Sequence, residues 1–475
     1  MYFFSNNPAY HHHVLFVDAK GHHITYKQWH DHAQALRALL PPRSLVAILC
    51  HNTIGSAISY LSCLENRFVP ILIDKEMDAA LMKALLEKYK PNYIFKPTTE
   101  ITNEENLYTL EDYTVCPYSS KPVTMYKELA LLLTTSGSTG SPKLVRQSYE
   151  NLQSNAASIA TYLHLTSQDY PISSLPMHYT FGLSVINSHV LVGAKEYLTE
   201  DTVFDASFWK DCKNQRITSL AGVPFTYECL NRLRFTTMDL PDMTLLIQAG
   251  GKLSKRLQKV YGDFAATTNK RFVVMYGQTE ATARMSYLPP ENCLTKIGSI
   301  GIAIPGGVFH IMDEQKQIIT APNIIGELCY DGPNVTLGYA KEQRDLQLGD
   351  ERHGRLFTGD MAYVDDDGYY YITGRKKRFV KIMGKRINMD EIEQLLKNAI
   401  VGYDFACAGE DDDLHLFTSA PSVQSDTIEE FITQKTGIHP SCLTIHTDYY
   451  SIPKNSSGKT QYSLLSQTLK GREKE

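Results

Sequence analysis

Apolar residues in the first hundred positions form short runs that alternate with longer stretches of helical spacing. The short runs predict strands at residues 14–17, 45–50, 71–74 and 93–96. The longer stretches predict helices at residues 26–40, 54–64 and 77–88. Strands that alternate with helices form parallel sheets covered by helices on both faces, so we expect an α/β fold.

The pattern changes after about residue 295. Glycine and proline crowd residues 298–307, and turn-bounded β-like runs follow as far as Tyr371, which predicts a small β subdomain. A basic run at residues 375–386 and a predicted helix at residues 389–396 come next. We place a domain boundary near residues 374–377. Residues 1–374 would then form a large N-terminal domain, and residues 375–475 a small α+β C-terminal domain.

Composition narrows the class of protein. With 47 Lys and Arg against 52 Asp and Glu, the formal net charge is −5, which provides no general field for nucleic acid or anionic membranes. No apolar run is long enough to span a membrane, and the first residues lack the features of a signal peptide. The nine cysteines are scattered and include no C-x-x-C pair. We therefore expect a soluble, cytoplasmic protein.

The strongest local signal is residues 131–143, LLLTTSGSTGSPK, where an apolar strand enters a loop of Thr, Ser and Gly. Glycines let backbone N–H groups converge on an anion, while hydroxyl groups and Lys143 add donors and charge. The spacing is not that of a Walker loop. The Gly-Lys-Thr at residues 458–460 fails the same test because position 453 is Pro. This loop alone could be an ordinary surface loop, but its composition favours phosphate binding.

Four further segments carry related chemistry. Residues 271–280, RFVVMYGQTE, predict a strand followed by a ring that can cover a base and a carboxylate that can hold Mg²⁺. Residues 248–253, QAGGKL, end another strand with two glycines, where a planar ligand can approach the backbone. Residues 358–360, Thr-Gly-Asp, are predicted to end a further strand, with an Asp suited to a ribose diol. Residues 453–460, PKNSSGKT, present Lys459 near the C-terminus.

In order and content these segments resemble the adenylate-forming superfamily of acyl-CoA synthetases, aryl-acid ligases, peptide-synthetase adenylation domains and firefly luciferase. The resemblance extends from about residue 24 to residue 469. It rests on nine motifs in the order of the superfamily: TTSGSTGSPK, SLPMHYTFGLS, AGVPFTYE, QAGGKL, YGQTEAT, IGELCYDGP, LFTGD, GRKKRFVKIMGKRINMDEIE and PKNSSGKT.

The resemblance implies ATP and Mg²⁺ as cofactors and assigns a nucleotide site. The loop that would close over the β- and γ-phosphates consists of Thr134, Thr135, Ser136, Gly137, Ser138, Thr139, Gly140 and Lys143. Position 144 is Leu where the superfamily usually has Gly, so the exit of this loop could differ in flexibility. The remaining residues implied for the nucleotide are Gly250, Gly251, Tyr276, Gly277, Gln278, Asp360, Arg375 and Arg386. Within this set the adenine would stack on Tyr276, and Asp360 would hold the ribose hydroxyls.

The resemblance also implies three catalytic residues and a hinge. Thr279 would contact the α-phosphate, Glu280 would bind Mg²⁺, and Lys459 would be the catalytic lysine of the first half-reaction. Lys377 would be the hinge about which a mobile C-terminal domain moves between two half-reactions. The reaction that the resemblance implies is that of an AMP-forming acid–thiol ligase. In its first half a carboxylate attacks the α-phosphate of ATP, which forms an acyl adenylate and releases pyrophosphate, and in its second half the acyl group is transferred to a thiol. The first half brings an anion towards a polyanion, so its catalysis must be electrostatic and positional.

The acyl pocket implied by the resemblance mixes aromatic, polar and small residues. Its candidates are His178, Tyr179, Phe181, Gly182, Val223, Tyr227, Ala249, Gly277 and Ala281. Relatives that activate α-amino acids usually have Asp at the position of Gly182, so we expect a different acid. The tempting FDAS at residues 204–207 follows the pocket segment and does not align with it. A modest aryl, hydroxy or short acyl acid suits these residues better than a long alkyl chain.

Several alternatives stay open at this point. The acceptor thiol could belong to coenzyme A or to the phosphopantetheine of a separate carrier protein, because the tail after Lys459 is too short for a carrier domain. A stand-alone adenylation enzyme and a non-catalytic nucleotide-binding homologue are the competing functions. Eight of the sixteen histidines precede residue 52, but no recognisable ligand spacing accompanies them, and we predict no metal site there.

Overall fold

The computed structural model describes residues 2–100, 106–134, 143–383, 385–447, 449, 451–454 and 460–472, without the side chains of residues 377, 379, 381, 385, 386 and 470–472. The described residues form two compact units. The first comprises residues 2–134, 143–309 and 330–356, and the second comprises residues 310–329 and 357–472, with the gaps given above. The predicted domain boundary near residues 374–377 stays a prediction.

The strands are, in chain order, β1 (Val14–Asp18), β2 (His23–Thr25), β3 (Leu45–Cys50), β4 (Val69–Asp74), β5 (Tyr93–Pro97), β6 (Tyr108–Leu110), β7 (Tyr113–Pro117), β8 (Leu129–Thr134), β9 (Leu144–Ser148), β10 (Pro171–Ile172), β11 (Glu196–Leu198), β12 (Ser219–Gly222), β13 (Leu245–Gln248), β14 (Arg271–Tyr276), β15 (Ser286–Tyr287), β16 (Ile302–Ala303), β17 (Val308–Met312), β18 (Ile318–Ile319), β19 (Gly326–Asp331), β20 (Gly338–Ala340), β21 (Arg355–Val364), β22 (Tyr370–Arg375), β23 (Phe379–Ile382), β24 (Lys385–Asn388), β25 (Phe405–Glu410), β26 (Asp413–Thr418) and β27 (Leu443–His446).

The α-helices are α1 (Tyr26–Leu39), α2 (Ile54–Glu65), α3 (Ala79–Tyr89), α4 (Tyr149–Leu163), α5 (Thr180–Leu191), α6 (Ala206–Asn214), α7 (Pro224–Arg232), α8 (Lys255–Thr267), α9 (Met389–Ala399), α10 (Ser425–Thr436) and α11 (Tyr462–Arg472). Local sequence explains where several begin. The Thr25 side chain accepts from the backbone of Gln28, whose side chain accepts in return, and this capping box starts α1. Ser148 and Asn151 form the equivalent pair at the start of α4.

The first unit is built on two large mixed sheets. One has eight strands in the order β20-β9-β8-β4-β3-β5-β7-β6, and the other has nine in the order β16-β15-β14-β13-β12-β10-β11-β1-β2. Parallel pairing joins β8, β4, β3 and β5 in the first sheet and β12, β13 and β14 in the second. The predicted α/β fold class is therefore confirmed, and the predicted early strands and helices occur within a few residues of their expected bounds.

Helix α2 explains how the first unit packs. It is buried on every side from Ile54 to Leu64, which fits its nearly uncharged sequence. One hydrophobic cluster joins α2 to Phe16 of one sheet and to Val46 and Ile48 of the other. The carboxyl ends of the parallel strands carry the loops in which most of the candidate functional residues lie.

The second unit contains most of a five-stranded sheet, β18-β17-β19-β21-β22, the two-stranded β23-β24 and the three-stranded β25-β26-β27. A hydrophobic cluster packs Ile392 and Leu396 of α9 against Phe405 and Leu416 of the three-stranded sheet. This part of the structure confirms the predicted helix near residues 389–396, which is longer than expected.

All nine cysteines are free thiols, and all lie in the described part of the chain. Eight of them are buried, and Cys442 alone is partly exposed. Among the described residues, no helix is long and apolar enough to cross a membrane.

Candidate active site

The motif YGQTEAT forms a tight loop at the carboxyl end of β14. Gly277 is required there, because a Cβ at this position would lie 1.8 Å from the carbonyl oxygen of Ala283. The chain then enters a 3-10 turn over Thr279–Ala281, which carries Glu280. Tyr276 and Gln278 are half-buried, and the Gln278 amide donates to the Tyr276 hydroxyl over 3.1 Å.

The carboxylate of Glu280 is held by a residue that sequence analysis did not single out. The Tyr339 hydroxyl donates to Glu280 Oε1 over 2.6 Å, and burial raises the pKa of Tyr339. The Glu280 backbone oxygen accepts from Arg352 over 2.9 Å and from the Thr336 amide over 3.0 Å. Among the described residues, Glu280 Oε1 has a hydrogen-bond partner and Oε2 has none. One carboxylate oxygen is therefore fixed, while the other can bind a ligand.

Two cationic groups lie against the same tyrosine ring. The Lys143 ammonium is 3.8 Å from the centroid of the Tyr339 ring, and the Arg352 guanidinium is 4.8 Å from it. Lys143 is the predicted phosphate-loop lysine, which precedes β9, and Tyr339 lies on β20, the antiparallel neighbour of β9. The structure therefore brings together Lys143 and Glu280 around a tyrosine between them.

The predicted adenine slot is a glycine turn after β13. Gly250 has φ +84°, a conformation that favours glycine, and the buried Gln248 amide donates to the Gly251 oxygen over 3.0 Å. A Cβ at position 250 would lie 2.7 Å from the Tyr179 hydroxyl and 3.0 Å from a Val223 methyl. Two predicted pocket residues, Tyr179 and Val223, thus meet the predicted nucleotide glycine, while Ala249 beside it is buried.

The pocket segment before α5 is packed closely. The Tyr179 and Phe181 rings meet edge to face with 6.4 Å between centroids, and burial raises the pKa of Tyr179 to about 12. The Thr180 hydroxyl donates to the Thr282 oxygen, which ties this segment to the loop after β14. At Gly182 a Cβ would lie 2.3 Å from the Pro176 oxygen, so the backbone leaves no room for a side chain.

His178 belongs to a group of imidazoles and carboxylates at the carboxyl ends of β3 and β4. Its Nε2 lies 3.5 Å from Asp74 Oδ2, and burial lowers the pKa of His178 although the Asp74 charge raises it. His51 pairs in the same way with Glu200. Within the described residues, no group of three or more His, Cys, Asp or Glu is arranged to hold a metal ion.

Two predicted pocket residues lie in the core. Tyr227 is fully buried, and its ring meets that of Tyr261 edge to face with 4.9 Å between centroids. Ala281 is also fully buried. Their proposed contact with an acyl group stays a prediction. Asp205 of the FDAS sequence accepts from Thr202, as expected of a local turn.

A buried cation lies behind the pocket segment, and sequence analysis missed it. The Arg284 guanidinium is 2% exposed and lies 5.0 Å from the centroid of the Phe181 ring. It donates to the Ser184 hydroxyl over 3.1 Å and to the Tyr162 hydroxyl over 3.3 Å. A guanidinium held in this way fixes α5 to α4.

The predicted ribose carboxylate lies in the second unit, in a place that corrects one expectation. Residues 358–360 do not end a strand but lie within β21 (Arg355–Val364). Asp360 faces Arg375 across the β21–β22 pair, and the two side chains form an ion pair of 3.2 Å. Asp360 is buried while the Arg375 side chain is exposed, so this pair is partly shielded from solvent.

Part of the predicted nucleotide site lies outside the described residues. Thr134 ends β8, but Thr135, Ser136, Gly137, Ser138, Thr139, Gly140 and Lys459 lie outside the described residues, as do the side chains of Lys377 and Arg386. The first unit thus brings together Lys143, Tyr276, Gly277, Thr279 and Glu280 with the glycine turn, and the second brings together Asp360 and Arg375.

Comparison with known proteins identifies the class. The chain belongs to the family described as AMP-binding enzyme, whose profile matches residues 3–340. This confirms the predicted membership of the adenylate-forming superfamily.

Two curated relatives and one solved structure illustrate the similarity. The chain is 30% identical over 349 residues to a candidate acyl-CoA synthetase, YngI, of Bacillus subtilis strain 168, covering 70% of this chain and 62% of that protein. It is 29% identical over 346 residues to oxalate–CoA ligase of Arabidopsis thaliana, covering 71% of this chain and 65% of the ligase. The match thus spans less than two thirds of each relative.

The solved structure is o-succinylbenzoate CoA synthetase from Bacillus subtilis in complex with its acyl-adenylate intermediate. It superposes with a TM-score of 0.75 at 20% identity, covering 95% of each chain. This similarity establishes the fold of the chain as that of an adenylate-forming enzyme.

Proposed function

We propose that the protein activates a carboxylic acid with ATP to an acyl adenylate, releases pyrophosphate and transfers the acyl group to a thiol. The observation that carries this proposal is the arrangement after β14 in a member of the AMP-binding family. There, Glu280 is fixed by Tyr339, whose ring also contacts Lys143.

The donor set fits Mg²⁺. This ion binds carboxylate oxygens through one or two protein ligands and completes its shell with water and substrate phosphates. Glu280 supplies one such carboxylate, with an oxygen that no described residue occupies. Bound there, Mg²⁺ would neutralise charge on the phosphates. The role of Tyr339 is to orient the carboxylate, and Lys143 would supply further positive charge to the phosphates.

The other proposed roles follow the same electrostatic logic. Asp360 would accept hydrogen bonds from the ribose hydroxyls, oriented by its ion pair with Arg375. Tyr276 would cover the adenine, and Thr279 would donate to the α-phosphate. Lys459 would stabilise charge on the α-phosphate and the attacking carboxylate. A rotation at Lys377 would then move this lysine out of the site and admit the thiol.

The geometry favours an acid without an α-amino group. An aspartate at position 182, which would pair with such a group, has no room beside the Pro176 oxygen. The candidate pocket wall combines Tyr179, Phe181 and Val223, which suits a modest aryl or short acyl acid. The named substrates of relatives include oxalate and 2-succinylbenzoate, both of limited size.

Coenzyme A is the acceptor that we propose. The curated relatives include an acyl-CoA synthetase and CoA ligases by name, which supports this choice over a carrier protein. A cytoplasmic location belongs to the same proposal, supported by nine unpaired thiols.

The experiment that tests the proposal is a panel of carboxylic acids screened by hydroxylamine trapping of the activated acyl group. Acids that react are then assayed for pyrophosphate exchange, and for thioester formation with coenzyme A or a phosphopantetheinyl carrier. We expect ATP- and Mg²⁺-dependent trapping for a small set of acids, with Glu280→Gln strongly impaired. If no acid of any class is trapped, although the protein binds ATP, a non-catalytic nucleotide-binding role replaces this proposal.

A further inference from the structure

One carboxylate forms hydrogen bonds on both sides of the predicted hinge residue, Lys377. The Arg375 amide donates to Asp390 Oδ2 over 3.0 Å. On the other side of the hinge, Arg378 Nε donates to Asp390 Oδ1 over 2.8 Å. Asp390 lies in the first turn of α9, so this helix contacts the chain before and after the residue at which rotation is expected.

The contacts after the hinge do not depend on Asp390 alone. The Arg378 guanidinium also pairs with Glu393, donates to the Cys407 oxygen over 2.6 Å and lies 3.8 Å from the centroid of the Tyr462 ring. Glu393 in turn accepts from the Cys407 amide over 2.7 Å and from the Tyr462 hydroxyl over 2.9 Å. Arg378 is therefore anchored to α9, β25 and α11, and it would stay with them if Asp390 were removed.

Among the described residues, the hydrogen bonds that Asn388 and α9 make before the hinge are fewer and involve the backbone of β22. In addition to the hydrogen bond between the Arg375 amide and Asp390, the Asn388 side chain donates to the Thr373 oxygen over 2.8 Å. Gly374 allows this approach, because a Cβ there would lie 2.3 Å from the Asn388 amide nitrogen. The Arg375 side chain is directed elsewhere, to its ion pair with Asp360.

From this asymmetry we infer that Asp390 is a positioning residue that latches the hinge. It moves with α9, to which Arg378 is anchored, so rotation at Lys377 must break its bond with the Arg375 amide. The inference rests on the proposed two-step function. A hydrogen bond to a carboxylate is among the stronger ones, so this bond biases the equilibrium between the two hinge conformations. Asp390 thereby sets the relative rates of adenylate formation and thioester formation.

The first test compares Asp390→Ala with Glu391→Ala. Both remove one negative charge from the first turn of α9, which controls for the helix dipole, but Glu391 is exposed and makes none of the hinge contacts. Pyrophosphate exchange reports the first half-reaction, and thioester formation from preformed adenylate reports the second. We expect the ratio of the two rates to change about tenfold in Asp390→Ala and to stay unchanged in Glu391→Ala. Equal changes in both rates, or the same ratio in both variants, would overturn the inference.

Asp390→Asn serves as the conservative variant and as a safeguard if the alanine variant does not fold. Its single carboxamide oxygen can still accept from the Arg375 amide, so we expect a ratio between those of wild type and Asp390→Ala. A ratio equal to that of the alanine variant, or further from wild type, would count against the Arg375 bond as the latch.

The second test needs no catalysis. Residue-resolved hydrogen exchange should show faster exchange of the Arg375 amide in Asp390→Ala than in wild type and Glu391→Ala. Unchanged protection of this amide would overturn the latch even if the enzyme were active. If the wild-type protein activates no acid but the hydrogen-exchange result is as expected, the proposed function is overturned and the hinge contact stays established.

Discussion

The Tyr339 hydroxyl lies 2.6 Å from Glu280 Oε1, and the same tyrosine ring lies 3.8 Å from the Lys143 ammonium. Antiparallel pairing of β20 with β9 produces this arrangement, since it places Tyr339 opposite Val145, two residues after Lys143. A single side chain therefore orients a predicted metal ligand and contacts a predicted phosphate ligand.

Replacing Tyr339 by Phe should weaken the response to Mg²⁺. The variant keeps the ring beside Lys143 but removes the hydrogen bond to Glu280, so the carboxylate loses its fixed orientation. We expect the Mg²⁺ concentration for half-maximal pyrophosphate exchange to rise about tenfold, the effect of one hydrogen bond to a charged group. Tyr89→Phe is the matched control, because that hydroxyl donates to the backbone of Ala340 on the same strand. An unchanged Mg²⁺ titration would disprove the role of Tyr339.

Replacing Lys459 by Ala should abolish most of the first half-reaction. Loss of one preorganised charge at the reacting phosphate typically costs about a hundredfold or more in rate. Pyrophosphate exchange should fall accordingly, while binding of ATP measured by calorimetry largely persists. Lys454→Ala is a control from the same segment, whose ammonium pairs with Asp404 over 2.7 Å. Wild-type exchange in the Lys459 variant would refute its catalytic assignment.

Substitution of Gly182 should destabilise the fold whatever the substrate is. An added Cβ would meet the Pro176 oxygen at 2.3 Å, and relieving such a clash costs about 1–3 kcal/mol. Gly182→Ala and Gly182→Asp should both lower the thermal midpoint, and Gly182→Asp should not improve turnover of the true acid. Gly349→Ala is the control, since its added methyl would have its nearest neighbour at 3.9 Å. Wild-type stability of Gly182→Ala would show that the backbone can yield here.

Glu196 predicts how stability depends on pH. Burial raises the pKa of this carboxyl from 4.5 to about 8, and its Oε2 has no hydrogen-bond partner among the described residues. The folded state therefore retains a proton that the unfolded state loses above pH 4.5, so stability falls as pH rises from about 4.5 to about 8. Glu196→Gln should remove roughly 2–4 kcal/mol of this loss. Urea unfolding of both proteins at pH 5 and pH 8 measures the change in the free energy of unfolding. Parallel pH profiles of this free energy for variant and wild type would contradict the expectation.

The sequence was sufficient to predict the elements whose signals are local. The apolar, β-branched run before Gly277 predicted strand β14 and the loop that follows it, because such a run followed by a glycine is compatible with few other structures. The prediction that residues 358–360 end a strand was wrong for a related reason. A glycine suggests a turn, but Gly359, with φ +72°, lies inside β21, where the pairing with β22 shifts register after Met361.

The missed residues depend on contacts between distant segments. Tyr339 reaches Glu280 only because β20 pairs with β9, and nothing near Tyr339 in the sequence indicates that pairing. Arg378 stands in a basic run and was not assigned a role, although it is buried against Glu393. A buried cation and an exposed one cannot be distinguished in such a run until the partner carboxylate has been located.

The partly exposed thiol of Cys442 offers a practical means of testing for the proposed hinge motion. A maleimide dye should attach at one defined position near β27 while the eight other thiols stay protected by the fold. A labelled chain could thus report changes in fluorescence during turnover without prior removal of the remaining cysteines.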